Sequence, residues 1–201
     1  GTIVGMELVQ AYPEDYSAFI GVGQVVDVIE NEQQSYDFAL KQAIEDDNTQ
    51  AILELREIGR PDNYGAYHDE SGYDITMKWV GYYGGDLYGK KSTVEIETYL
   101  LHHDVYDGYE LEAGWDYSEI LFEDSNVLHF DARESIPEVE VPIYFFAGRH
   151  DYDTPSKLVE NYYSTLRAPV KELIWFENSA HFPFYSEPDK FSKMIIEKLA
   201  R

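Results

Sequence analysis

Val141-Pro142-Ile143-Tyr144-Phe145-Phe146-Ala147-Gly148-Arg149-His150-Asp151-Tyr152-Asp153-Thr154-Pro155 decides how this chain is read. Its first seven residues are mostly β-formers, too short and too uniformly apolar for an amphipathic helix, and predict a strand buried on both faces. Gly148 ends that run and the chain turns polar. Thr154-Pro155 then reads as a helix start, a capping hydroxyl followed by proline at the first helical position. Asp151 is thereby expected in the turn just past the carboxyl end of a buried strand, where open α/β sheets place their chemistry. After one more helix and one more strand, Asn178-Ser179-Ala180-His181-Phe182-Pro183 brings an imidazole to the same edge. Each residue alone reads as a solvated turn residue, but together, with strand, turn and helix in this order, Asp151 and His181 are a candidate catalytic pair.

The flanking segments extend the same alternation. Ser156 to Leu166 is amphipathic through Leu158, Val159, Tyr162 and Leu166, and Ala168-Pro169 ends it. Val170 to Phe176 is the last strand, and Ser186-Glu187-Pro188-Asp189 caps a closing helix expected to turn Phe191, Met194, Ile195 and Leu199 inward. Toward the amino end, Thr2 to Ala11 has helical period and stops at Tyr12-Pro13, with Gly5 where a helix lies close against a sheet. Ser17 to Gly23 is then a buried strand. Gly21-Val22-Gly23 follows the dinucleotide pattern only in part, because Val26 stands at the third glycine; turn glycines explain the pair.

Between these segments the strand pattern disappears. Asn31 to Asp47 reads as a helix with Tyr36, Leu40, Ala43 and Ile44 on one face, and Asn48 caps a second that shows Ile52, Leu55 and Ile58 and stops at Gly59-Arg60-Pro61. A tyrosine-rich loop over residues 62–72 leads to a short helix from Ile75 to Tyr83 ended by Gly84-Gly85. Further helices are expected over Thr93 to His102 and within Tyr109 to Phe122. A run of helices interrupting a strand and helix alternation reads as an all-helical insertion over a site. The expected organisation is therefore core at 1–27, helical cap at 28–135 and core again at 136–201. His102-His103-Asp104 is not a metal site, since adjacent helical residues point about 100° apart; no metal or cofactor is expected.

Composition narrows the functions. With 44% apolar and 15% aromatic residues among 201, the chain has material for one good core. The absence of cysteine removes disulfides, thiolate catalysis and cysteine-ligated zinc. A formal charge of -24, concentrated in the middle of the chain, repels nucleic acid and anionic membrane surfaces. Neither a membrane span nor a secretion signal is legible, so the expectation is a cytoplasmic protein acting on a small molecule or short peptide.

An acid and then a histidine, each after a successive strand, is the order of the last two members of the Ser, Asp, His triad of α/β-hydrolases. The spelling Pro142, Gly148-x-x-Asp151-x-x-x-Pro155 and Ser179-Ala180-His181-Phe182-Pro183 resembles that superfamily, and within it the proline iminopeptidase-like branch of serine hydrolases, which carry a helical cap. The resemblance implies an α/β-hydrolase fold, here its C-terminal part with the last three parallel strands and flanking helices. It makes His181 the general base and Asp151 the acid that orients it, with Asp153 a weaker candidate that does not fit the spacing.

The same resemblance implies that Gly1 is the final glycine of the Gly-x-Ser-x-Gly elbow, so the nucleophilic serine and the oxyanion donors would precede the chain; no such motif occurs within it. Family members use cap acids to hold a peptide's free amino group, but here Trp79 is followed by Val80 where a tryptophan and glutamate often stand together. Aminopeptidase is the leading expectation and esterase or other acyl hydrolase the alternative. A third is an inactive fragment that self-associates or needs a complementing chain, because the face of the first helix and the edge of the Phe19 to Val22 strand would lie bare.

Overall fold

A computed structural model describes residues 1–91 and 126–200. The helices expected over Thr93 to His102 and within Tyr109 to Phe122, and the His102-His103-Asp104 cluster, lie outside the described residues.

Three parallel strands form the sheet among the described residues: β1 (Phe19–Val22), β2 (Ile143–Gly148) and β3 (Lys171–Phe176), in the order β1, β2, β3. Phe19 pairs with Ile143, and Ile143 with Lys171. Every residue of β2 is buried, as its unbroken apolar run requires. Its alternation divides the core. Ile143 and Phe145 face a cluster that includes Ile3 and Met6 of α1 (Thr2–Ala11) and Leu158 and Tyr162 of α6 (Ser156–Thr165). Tyr144 and Phe146 face the other side, where Phe191, Met194 and Ile195 of α7 (Pro188–Leu199) close over them. Leu199, expected inward, is the last helical residue and is 55% exposed, outside the cluster that Phe191, Met194 and Ile195 join. Gly5 does have the expected role: a Cβ there would stand 2.6 Å from the ring of Phe19.

Between β1 and β2 the named elements among the described residues are all helices, joined by turns and loops and two isolated bridges. α2 (Val28–Glu45), α3 (Thr49–Ile58) and α4 (Gly72–Tyr82) pack around Tyr36, Ala39, Ala43, Leu55, Ile58 and Trp79. α2 begins earlier than its apolar pattern suggests, because the Asp27 side chain accepts from the Glu30 amide at 2.9 Å and caps it. Its buried stripe runs through Ala39 and Ala43, the small residues that let helices approach, and Ile44 is left 48% exposed.

The chain leaves and re-enters the sheet region along two adjacent strands of backbone. Val28 donates to the Phe130 carbonyl at 3.1 Å and Ala132 to that of Val26 at 2.7 Å. Arg133, at the N-terminal end of α5 (Ala132–Ser135), pairs with Asp27, with Glu30 at 3.1 Å and with Asp131 at 2.8 Å, so one guanidinium ties both crossings. Among the described residues no helix is long and apolar enough to cross a membrane.

Candidate active site

The turns after β2 and β3 are pressed together. A Cβ on Gly148 would stand 2.0 Å from the Ala180 carbonyl oxygen, so the β2 turn closes on the β3 turn only because glycine ends that strand. His150 donates its amide to the Ser179 carbonyl at 3.0 Å, and Arg149 its own to Phe176 at 2.9 Å. The second turn is held from behind by Glu187, whose carboxylate accepts from the Asn178 amide and the Ser179 hydroxyl, both at 2.9 Å.

Within this joint the structure brings Asp151 and His181 into contact: Oδ2 of the acid lies 3.1 Å from Nδ1 of the ring. The Asp151 side chain is 2% exposed, and its other partners are close at hand. Oδ1 accepts from the amides of Asp153 at 3.0 Å and Thr154 at 2.9 Å, and Oδ2 from the Thr154 hydroxyl at 3.0 Å. This corrects the expected helix start. Thr154 does not cap α6, which begins at Ser156 behind Pro155 without a side-chain cap; the buried carboxylate takes both its amide and its hydroxyl. That hydroxyl also lies 3.1 Å from Nδ1 of His181, which makes Thr154 a site residue that sequence reasoning assigned elsewhere. The signal was present in the Asp151-x-x-Thr154 spacing, the reach of a carboxylate folding back on the amides that follow it.

His181 is 23% exposed at its side chain and reaches a cleft of about 540 Å³ lined in part by Gly1, Thr2, Ile20, Gly23 and Asp153. Gly23, in the left-handed region at φ 58°, lies against the ring: a Cβ there would meet Cε1 at 2.4 Å. Gly23, just after β1, thus makes room for an imidazole, while Gly21 within the strand lies against Gln24, Phe145 and Phe19. The His181 amide donates to the Asp86 carbonyl at 2.9 Å, and Nε2 lies 3.6 Å from Oδ2 of Asp153. Burial opposes protonation of the ring, but the carboxylates of Asp151, Asp153 and Asp86 outweigh it and raise the imidazole pKa to about 10. Asp153 is itself raised, chiefly by burial.

The α2 helix supplies the rest of the surroundings. Asn31 Nδ2 donates to the Asp153 carbonyl at 2.8 Å and the Ser35 hydroxyl to that of Tyr152 at 2.7 Å, while Phe38 stacks on Tyr152 at 3.8 Å. Glu32 accepts from the Tyr67 hydroxyl at 3.1 Å. Burial lifts its pKa to about 7, opposed by the Tyr67 bond and aided by the charge of Asp153. Neither Glu32 nor the Asn31 and Ser35 tethers could be found from periodicity, because their partners lie far along the chain.

No protein-family model matches the chain. Over 97% of its length it is 26% identical to the probable aminopeptidase YbaC of Bacillus subtilis, of which it spans 61%. The whole chain superposes on the proline iminopeptidase of Mycobacterium smegmatis with a TM-score of 0.54 at 12% identity, covering 62% of that structure. An α/β fold family hydrolase from Bacillus anthracis gives 0.53 at 15% identity over 99% of this chain and 64% of the other. The chain thus spans less than two thirds of these relatives. Its parallel sheet, its flanking helices and the helices between β1 and β2 are those of the C-terminal part of an α/β-hydrolase fold.

Proposed function

We propose that the chain carries the acid and base half of a serine hydrolase site, in a longer polypeptide that contributes the nucleophile. The observation that carries this reading is the buried Asp151 carboxylate 3.1 Å from Nδ1 of His181, whose largely buried ring reaches the cleft at the edge of a parallel sheet. Asp151 fixes the tautomer, so that Nδ1 keeps its proton and Nε2 faces the cleft; His181 takes the proton of an attacking serine and returns it to the leaving group. Gly1 and Thr2 line the same cleft, so a serine shortly before Gly1 would enter it beside Nε2.

The substrate we propose is a short peptide with a free amino terminus. Asp153, which lines the cleft from the β2 turn, and Glu32 on α2, which feels its charge, are the acids that would receive the ammonium group. This places the role of the cap acid on α2 and not beside Trp79, whose indole N–H donates to Glu54 at 2.9 Å instead. On the same reading α2, α3 and α4 belong to the cap. The exposed Val4 and Leu8 of α1 and the free side of β1 would then be covered by the preceding segment or by a second chain.

The test is hydrolysis by the longer polypeptide of proline arylamides against short acyl esters. Faster turnover of the arylamide, abolished in His181→Ala, is the expected result. Preference for the ester would transfer the site to acyl esters, and hydrolysis of neither would overturn the enzyme reading.

A further inference from the structure

His181 is unusual for a general base in having a carboxylate at each nitrogen. Asp151 meets Nδ1 at 3.1 Å and Asp153 stands 3.6 Å from Nε2, the nitrogen that a base must have free. The backbone of Asp153, which carries the second carboxylate, is fixed from several sides. Its amide donates to Asp151, its carbonyl accepts from Asn31 on α2, and the preceding Tyr152 donates its amide to the Gly85 carbonyl at 2.8 Å. Asp153 is therefore carried to Nε2 by the helical insertion as much as by the β2 turn.

We propose that Asp153 is a second partner of His181 that keeps the imidazole doubly protonated while no cation occupies the cleft, and that an ammonium group pairing with Asp153 releases the Nε2 proton and makes the base available. The inference rests on the reading of His181 as general base and of the substrate as an amine. Its balance is simple. One ammonium enters, one proton leaves Nε2 for solvent, and the charge of the cleft is unchanged.

The charged groups around the ring agree with this exchange. Asp151 and Asp153 come from the β2 turn and Asp86 from the segment after α4; the charge of Asp153 in turn raises the pKa of Glu32 on α2 and of Tyr73 on α4. A cleft with this many acids holds a proton on the one imidazole that lines it among the described residues, unless another cation replaces it. A substrate without an ammonium group would meet His181 already protonated, so Asp153 would also select between substrates by deciding which of them finds a competent base.

The experiment is a nitrogen-15 NMR titration of the His181 ring in the longer polypeptide, in the wild type and in Asp153→Asn and Asp153→Ser. Both variants keep the backbone carbonyl that binds Asn31. We expect the wild-type ring to stay doubly protonated through neutral pH and both variants to lose the Nε2 proton at least about one pH unit, tenfold in proton affinity, lower. An unchanged midpoint in either variant overturns the role of Asp153. In the wild type, L-prolinamide should lower the midpoint while N-acetyl-prolinamide should not, and the variants should be indifferent to both. Absence of any prolinamide-induced shift in cleft resonances would sink the amine reading instead, and lowering by the acetylated compound would show that occupancy and not charge releases the proton.

Discussion

The two sides of the cleft are built on opposite principles. On the sheet side β2 and β3 bury Tyr144, Phe145, Phe146 and Phe176, and the turns carrying Asp151 and His181 are locked by the close approach of Gly148 to Ala180. On the helical side α2 and α4 bury polar groups: Ser35 and Thr76 are wholly inaccessible and Asn31 is 8% exposed, with Glu32 nearby. An apolar core is indifferent to pH and tolerant of its neighbours, so it suits the fixed acid and base. A polar interface costs stability unless each group finds its partner, but it can set the charge seen by the ring. The sheet and its turns place His181 and supply Asp151 and Asp153; α2 holds the turn that bears Asp153.

The largest effect that would break this contrast is on catalysis. Asp151→Asn in the longer polypeptide should lower kcat by about 10⁴ with the fold intact, by loss of the correct tautomer; an undiminished rate would end the assignment. Next comes the sheet core, where Phe145→Ala should cost about 3–5 kcal/mol in denaturant unfolding, because the residue is fully buried between α1 and α6. Ser35→Ala should cost less, about 1–3 kcal/mol, since it orphans the Tyr152 carbonyl without opening a large cavity. It should also loosen the turn bearing Asp153, visible as faster amide exchange at Asp153 and Thr154.

The smallest effect sharpens the comparison through pH. With its pKa at about 7 against an ordinary carboxylate value of 4.5, Glu32 binds a proton in the native state that the unfolded chain has released. Stability from this group is therefore lost as pH rises from about 4.5 to 7. His181, raised from 6.5 to about 10, acts in the same direction over the next interval: its contribution is full below 6.5 and lost as pH climbs through 10. Glu32→Gln should abolish the first decline, worth about 1–3 kcal/mol, and leave the second. Thermal unfolding midpoints measured across both intervals would check it, and two unchanged slopes would contradict the burial of Glu32.

What could be read from the sequence follows the same division. The β2 run, Gly5, and the strand order leading to Asp151 and His181 are legible because local period and turn chemistry determine them. Thr154 was misread because a threonine before proline satisfies a local rule, and only tertiary burial of Asp151 makes its carboxylate the stronger claimant. The buried stripe of α2 lies at Ala39 and Ala43 and leaves Ile44 outside, since helix approach and not residue hydrophobicity chose the face. Asn31, Glu32 and Ser35 look like an ordinary polar stretch of helix. Their meaning comes from Tyr67, Tyr152 and Asp153, which no pattern within α2 encodes.

The central claim is most directly tested by fluorophosphonate labelling of the longer polypeptide, followed by peptide mapping. The account predicts one labelled serine N-terminal to Gly1, with labelling lost in His181→Ala. Label on a serine within the 201 residues, or labelling that persists without His181, would contradict it.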